Sequence, residues 1–183
     1  MKANGYAQEL FVEGSYAFSK GDYEKSASSF TEALQHDPAN ELVYLSRGVA
    51  YAKMGNTEQA KADFDKAVEL NPANARAYHF RGLAKMKLGE HEEAVKDFDK
   101  AIELDHNCGV AYYSRGTAHS ELNNERQAGS DMAMAARLGE ANLQAFADDH
   151  NIWRTEFDKV EAEIMGERER DWAVTPDLRS WLE

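Results

Sequence analysis

Small, aromatic and alanine positions return along this chain every thirty-four residues. Gly14, Gly48, Gly82 and Gly116 share one register, Phe30, Phe64, Phe98 and Met132 a second, and Ala33, Ala67, Ala101 and Ala135 a third. A fixed period of this length marks a stacked repeat array. The units are residues 7–40, 41–74, 75–108 and 109–142, and Glu41–Asn74 carries the pattern most completely. Each unit divides at Gly21, Gly55, Gly89 or Asn123, residues that tolerate the left-handed conformation closing a helix. Asp22, Asn56 and Asn124 follow as N-caps, Asn56 with Gln59 in capping-box spacing, and Glu90 is a weaker cap. The second helices of the first two units are expected to end at Asp37-Pro38 and Asn71-Pro72, because a residue ahead of proline is pushed out of helical geometry. The fold class expected is all-α, a solenoid of antiparallel helix pairs.

The columns have packing roles. The glycines, with Ser26, Ala60, Ala94 and Ala128, are small enough for two helices to approach closely. Leu10, Tyr44, Tyr78, Tyr112 and the Phe/Met column fill the space between neighbours, and Leu34, Val68 and Ile102 continue that apolar face. One helix pair cannot bury its face alone, so the four must stack. From Asn142 the period changes. Leu143, Phe146, His150, Trp153, Phe157, Val160 and Ile164 alternate in steps of three and four, one stripe on a helix of roughly 25 residues. Residues 143–183 are thus expected to be a capping helix and an apolar tail. The helix covers the fourth unit, and its part beyond Trp153 is also placed to meet a second chain. The tail, with Trp172, Val174, Leu178, Trp181 and Leu182, either folds back or docks into a partner.

Composition narrows the function. The net charge of −12 argues against broad affinity for nucleic acid or anionic membranes. The acidity is uneven: from Glu140 onward twelve Asp and Glu face five Lys and Arg, a net of −7. Cys108 is the single cysteine, so no intramolecular disulfide forms and a reducing compartment is expected. With no signal-like apolar run at the N-terminus and no membrane-length segment, the expected location is cytoplasmic. The histidines at 36, 79, 91, 106, 119 and 150 form no His-Glu-x-x-His pattern. His106 and Cys108 supply two ligands, which do not make a zinc site. The glycines are periodic, not a phosphate loop after a strand. No catalytic, metal or cofactor residues are assigned, and no enzyme activity is expected.

Gly48, Tyr51, Ala60, Phe64, Ala67 and Pro72, with Tyr44 where a tryptophan is frequent, closely resemble the tetratricopeptide repeat. The resemblance covers about residues 7–142. Ser26 and Ala17 depart from it in the first unit, His106 in the third, and Met132 and Glu140 in the fourth. It implies a right-handed superhelix whose first helices line a concave groove that binds an extended or helical peptide. The matching positions are Phe11, Ser15 and Phe18, then Leu45, Val49 and Ala52. They continue as Arg76, His79, Leu83 and Met86, then Tyr113, Thr117 and Ser120, with Lys53 and Lys87 near the edge. Lys53, Arg76 and Lys87 form a basic spot suited to a peptide with apolar anchors and a carboxylate. One subclass binds acidic chaperone tails through Lys and Asn on one helix, Asn on the next, and Lys and Arg on the third. Phe11, Ser15, Ser46, Arg76 and Phe80 stand at those positions and only Arg76 keeps the chemistry, so a chaperone-tail co-factor is not expected. Three readings stay open: a peptide-binding scaffold, a self-assembling module whose C-terminal helix or tail docks on a neighbouring chain, and a regulatory subunit of an enzyme.

Overall fold

The computed structural model describes the backbone of residues 2–149 and the side-chain surroundings of residues 5–142. Its helices are α1 (Lys2–Ser19), α2 (Tyr23–His36), α3 (Glu41–Lys53), α4 (Thr57–Leu70), α5 (Ala75–Lys87), α6 (His91–Leu104), α7 (Gly109–Glu121) and α8 (Glu125–Asp149). No strand occurs among the described residues. Each helix from α1 to α6 packs on its successor, and the first helices of neighbouring repeats also touch, α1 with α3, α3 with α5 and α5 with α7. This is the all-α solenoid of helix pairs that the period predicts. The described residues divide into two units, one ending at Leu138 and the other beginning at Gly139. The core and the site described below belong to the first.

Local chemistry sets the boundaries. The helix pairs turn at Gly21, Gly55 and Gly89, with φ of +79°, +83° and +77°, and at Asn123, with φ of +57°. The Asp22 carboxylate accepts from the Lys25 amide at 3.1 Å. Asn56 makes no side-chain cap bond, so the capping box with Gln59 does not form; Asn40 and Asn74 cap α3 and α5 instead. Helices α2 and α4 stop at His36 and Leu70, just ahead of Asp37-Pro38 and Asn71-Pro72. The fourth repeat has Glu140 in place of that proline. Helix α8 runs on through Asn142 to Asp149, where a boundary was expected, whereas α6 stops at Leu104 although His106 likewise replaces the proline, so the missing proline permits the continuation without dictating it. The calls on Trp153, Phe157, Val160, Ile164 and the segment 172–182 lie outside the described residues.

Two contacts repeat along the array. In the first, a phenylalanine of each second helix lies on the backbone of the first. Phe30, Phe64 and Phe98 are at most 2% exposed. A Cβ on Gly14, Gly48 or Gly82 would come within 2.7, 2.6 or 2.5 Å of those rings, so only glycine permits the approach. Met132 replaces phenylalanine in the fourth repeat, and the nearest contact at Gly116 relaxes to 3.2 Å.

The second contact is ionic. Arg47, Arg81 and Arg115 reach the second helix of their own repeat through paired bonds from Nε and Nη2 to Asp63, Asp97 and Asp131, at 2.6–2.9 Å. Nη1 reaches back to the preceding repeat, to Thr31, Asp65 and Asp99, at 3.0, 3.1 and 2.6 Å. Each guanidinium also lies over the tyrosine three residues earlier, Tyr44, Tyr78 or Tyr112, at 5.3–5.6 Å. Hydrogen bonds to Asp63 and Asp97 hold Arg47 and Arg81 above the usual arginine range. Each arginine therefore ties its own pair and the one before it.

The first repeat lacks the tie. Glu13 and Ser29 stand where the later repeats have arginine and aspartate, and Glu13 pairs with Lys25 at 3.1 Å in solvent. Tyr16, 64% exposed, occupies the register of Ala50, Ala84 and Ala118, which are at most 4% exposed. That face of α1 is polar and bulky where the others are small and covered.

Removing one partner of a buried pair strands the other charge, at about 3–5 kcal/mol. Arg47→Met leaves Asp63 without a cation, whereas Arg81→Met leaves Asp97 with Lys85 at 2.7 Å. Urea unfolding followed by circular dichroism should show the larger loss for Arg47→Met. Equal losses would contradict this account of the ladder.

Candidate functional site

The helical period puts one stripe of each first helix on a common face. Two cavities open along it. One, of about 280 Å3, lies among α1, α3 and α5 and is lined by Phe11, Ser15, Phe18, Leu42, Leu45, Ser46, Val49, Arg76 and Phe80, with Phe30 of α2. The other, of about 540 Å3, lies among α3, α5 and α7. Its lining includes Val49, Ala52, Lys53, Phe80, Leu83, Met86, Lys87, Tyr113, Ser114 and Thr117. Val49 and Phe80 belong to both, so the cavities share a wall. Leu42, Leu83 and Tyr113 leave apolar surface open to water.

The charges in these linings are of one sign. Arg76 is the charged residue of the first cavity, and Lys53 and Lys87 are those of the second. None of the three enters an ion pair among the described residues, whereas Lys25, Arg47, Lys61, Lys66, Arg81, Lys85, Lys96, Lys100 and Arg115 all do. A third cavity, of about 550 Å3, contains Glu24, Glu32, Gln35, Tyr51 and Met54 and is anionic. Cationic lining is thus a property of the first-helix face and not of the molecule's hollows in general.

The groove positions read from the sequence gather here, with two exceptions. Ser120 lines neither cavity. His79 is half-buried between repeats: its Nε2 lies 3.0 Å from the Ser114 hydroxyl, and its ring packs 5.8 Å from those of Phe80 and Phe98. Phe80 and Ser46, read from the sequence as clamp positions but not among the groove residues, line the site, as does Leu42, which was not read from the sequence. Phe80 stacks on Phe64 at 5.6 Å, 19° from parallel, and so has a fixed orientation. A signal for it was present, because Phe80 lies four residues after Arg76 on the same helical face. No cluster of three or more His, Cys, Asp or Glu suited to a metal occurs among the described residues. No described helix is long and apolar enough to cross a membrane.

The family description "Tetratricopeptide repeat" matches residues 42–74 and 75–108, and a second, "TPR repeat", matches residues 14–55. The chain belongs to the tetratricopeptide repeat family. It is 40% identical over 48 residues to Hsp70-Hsp90 organizing protein 3 of Arabidopsis thaliana, a stretch covering 26% of this chain and 9% of that protein. The first TPR of Spaghetti (RPAP3), solved bound to HSP90 peptide SRMEEVD, is 29% identical with a TM-score of 0.64, covering 66% of this chain and 95% of that one. A crystal structure of MamA protein, 22% identical, has a TM-score of 0.72 over 96% of this chain and 97% of that one, a likeness of fold.

Within this tetratricopeptide array the 280 Å3 cavity collects the five positions at which chaperone-tail binders are expected to carry their clamp: Phe11, Ser15, Ser46, Arg76 and Phe80. Two aromatic rings, two hydroxyls and one cation stand there. The place is kept and its chemistry is changed.

His79 gives a pH signature for the wall beside the second cavity. Burial pushes its imidazole below the ordinary value of 6.5, against a smaller upward effect from the Val110 backbone. The unfolded chain then takes up the proton first, so this part of the stability is complete above pH 6.5 and declines as the pH falls below it. The Tm of the native chain should fall more steeply below pH 6.5 than that of His79→Gln. Parallel curves would show that His79 is not buried in this way.

Proposed function

We propose that this protein-interaction scaffold receives an acidic, partly apolar peptide segment of another protein along α1, α3, α5 and α7. The observation that carries the reading is the lining of the two cavities: three cations without ion-pair partners among the described residues and no carboxylate in the lining, in a chain of net charge −12. An acidic protein repels most anions, so a local cluster of unpaired cations gives this face an attraction that its surroundings lack. Apolar walls supply burial, and the few charges orient the ligand.

Family likeness supports the same general work. Tetratricopeptide repeats are in general non-catalytic interaction modules, and the Spaghetti domain was solved with a peptide that is itself acidic with one methionine. The tail of that peptide is not the ligand proposed here. Its carboxylates would meet Phe11, Ser15, Ser46, Arg76 and Phe80, which offer one cation and two hydroxyls in place of a full set of basic and amide side chains.

The test is fluorescence anisotropy with a labelled peptide that intersperses glutamates with phenylalanine and leucine. Arg76→Glu should weaken binding tenfold or more, and Lys53→Glu with Lys87→Glu should do the same, without loss of helicity. Unchanged binding by both variants would remove the groove as the site.

A further inference from the structure

We infer that the cavity among α1, α3 and α5 is a subsite for one aromatic side chain that carries a hydrogen-bond donor, tryptophan or tyrosine. The carboxylates of the same peptide go to Arg76, Lys53 and Lys87. This rests on the groove being a peptide site and adds to it which chemistry enters which cavity.

The walls of the first cavity are aromatic and held in place. Phe11 packs on Phe30 with ring centres 5.7 Å apart, Phe18 on Tyr23 at 5.2 Å, and Phe80 on Phe64 at 5.6 Å. Each of these first-helix rings is thus braced by a ring from a second helix. Tilted and stacked pairs of this kind are favoured beyond the area they bury, so the walls stand before a ligand arrives. At about 280 Å3 the cavity falls just below the ~300–1,000 Å3 of pockets that hold a whole small molecule. That volume suits one large side chain.

The polar groups decide which kind of ring. The Ser15 hydroxyl donates to the Phe11 carbonyl and the Ser46 hydroxyl to the Leu42 carbonyl, each at 2.8 Å. A serine hydroxyl has one proton and two lone pairs. With the proton committed to its own helix, each serine has only lone pairs to offer a ligand. A carboxylate placed between them would meet acceptors, or would have to break both bonds. An indole N–H or a phenol O–H would find a partner, whereas phenylalanine has no donor to give. Arg76, exposed, is the one cation of this lining and suits a carboxylate beside the ring. The second cavity has two ammonium groups, Lys53 and Lys87, each with three donors and no acceptor, and so suits carboxylates.

The experiment is fluorescence anisotropy on the full chain with labelled peptides that share a frame of glutamates and leucines. They carry tryptophan, tyrosine, phenylalanine or benzothienylalanine, an indole shape with sulfur in place of the N–H, at one position. The tryptophan and tyrosine peptides should bind about fivefold more tightly than the other two, as one neutral hydrogen bond allows. Ser15→Ala with Ser46→Ala, whose helicity is checked first, should bring all four to one level. Four equal affinities for the native chain, or a preference that survives the double substitution, would overturn the inference. The groove reading would stand in either case if Arg76→Glu still weakened binding. Binding of none of the four, or binding indifferent to Arg76→Glu and to Lys53→Glu with Lys87→Glu, would overturn both. A peptide of the chain's own residues 167–183, which include Trp172 and Trp181, is run alongside. If it alone bound the groove, the occupant would be a second copy of this chain, and the partner reading would be overturned.

Discussion

A guanidinium clamped between two second helices is the contact on which the spacing of this array depends. Arg47, Arg81 and Arg115 each tie a helix pair to the pair before it, with an aspartate at most 5% exposed as the main partner. Such pairs add little net stability over apolar packing, since desolvation offsets most of the attraction. Their effect is on geometry: a paired Arg–carboxylate fork tolerates little sliding. The Phe rings pressed on Gly14, Gly48 and Gly82 fix the two helices within a repeat, and the fork holds one repeat at a set offset from the next. The separation of the two cavities inherits that offset.

The same contacts divide the charges of the chain. Cations aimed at the second helices are neutralised by aspartates, while Arg76, Lys53 and Lys87, on the opposite stripe of the first helices, have no such neighbours among the described residues. Carboxylates accumulate elsewhere, in the cavity with Glu24 and Glu32 among other places. An acidic protein thereby keeps one cationic, apolar-walled face. Its selectivity is expected to depend on salt, because exposed charges are screened over about 8–10 Å at physiological ionic strength.

How much of this could be read from the sequence varies with the range of the interaction involved. The repeats and most of the groove lining were legible because register positions on one helix follow the local 3.6-residue period, as Leu45, Val49 and Lys53 show. The arginine ladder was not. Arg47 and Asp63 are sixteen residues apart, a spacing with no meaning within a helix that becomes a contact only when the chain doubles back at Gly55. Charged residues at such positions look like an ordinary solvated surface. His79 misled for the opposite reason: it shares the register of Leu45 and Tyr113, but its ring finds the Ser114 hydroxyl in the next repeat. The continuation of α8 beyond Asn142 does not follow from the missing proline alone, since His106 also replaces it in the third repeat and α6 still stops at Leu104.

The central claim is that paired cations set the frame while unpaired ones receive the ligand. The most direct measurement is an NMR titration of the labelled chain with the acidic phenylalanine- and leucine-containing peptide, following backbone amides and arginine Nε–H signals together. The account predicts shifts at Val49, Arg76, Phe80 and Leu83, with the Nε–H signals of Arg47, Arg81 and Arg115 unmoved. Shifts concentrated on α2, α4 and α6, or displacement of those three arginine signals, would contradict it.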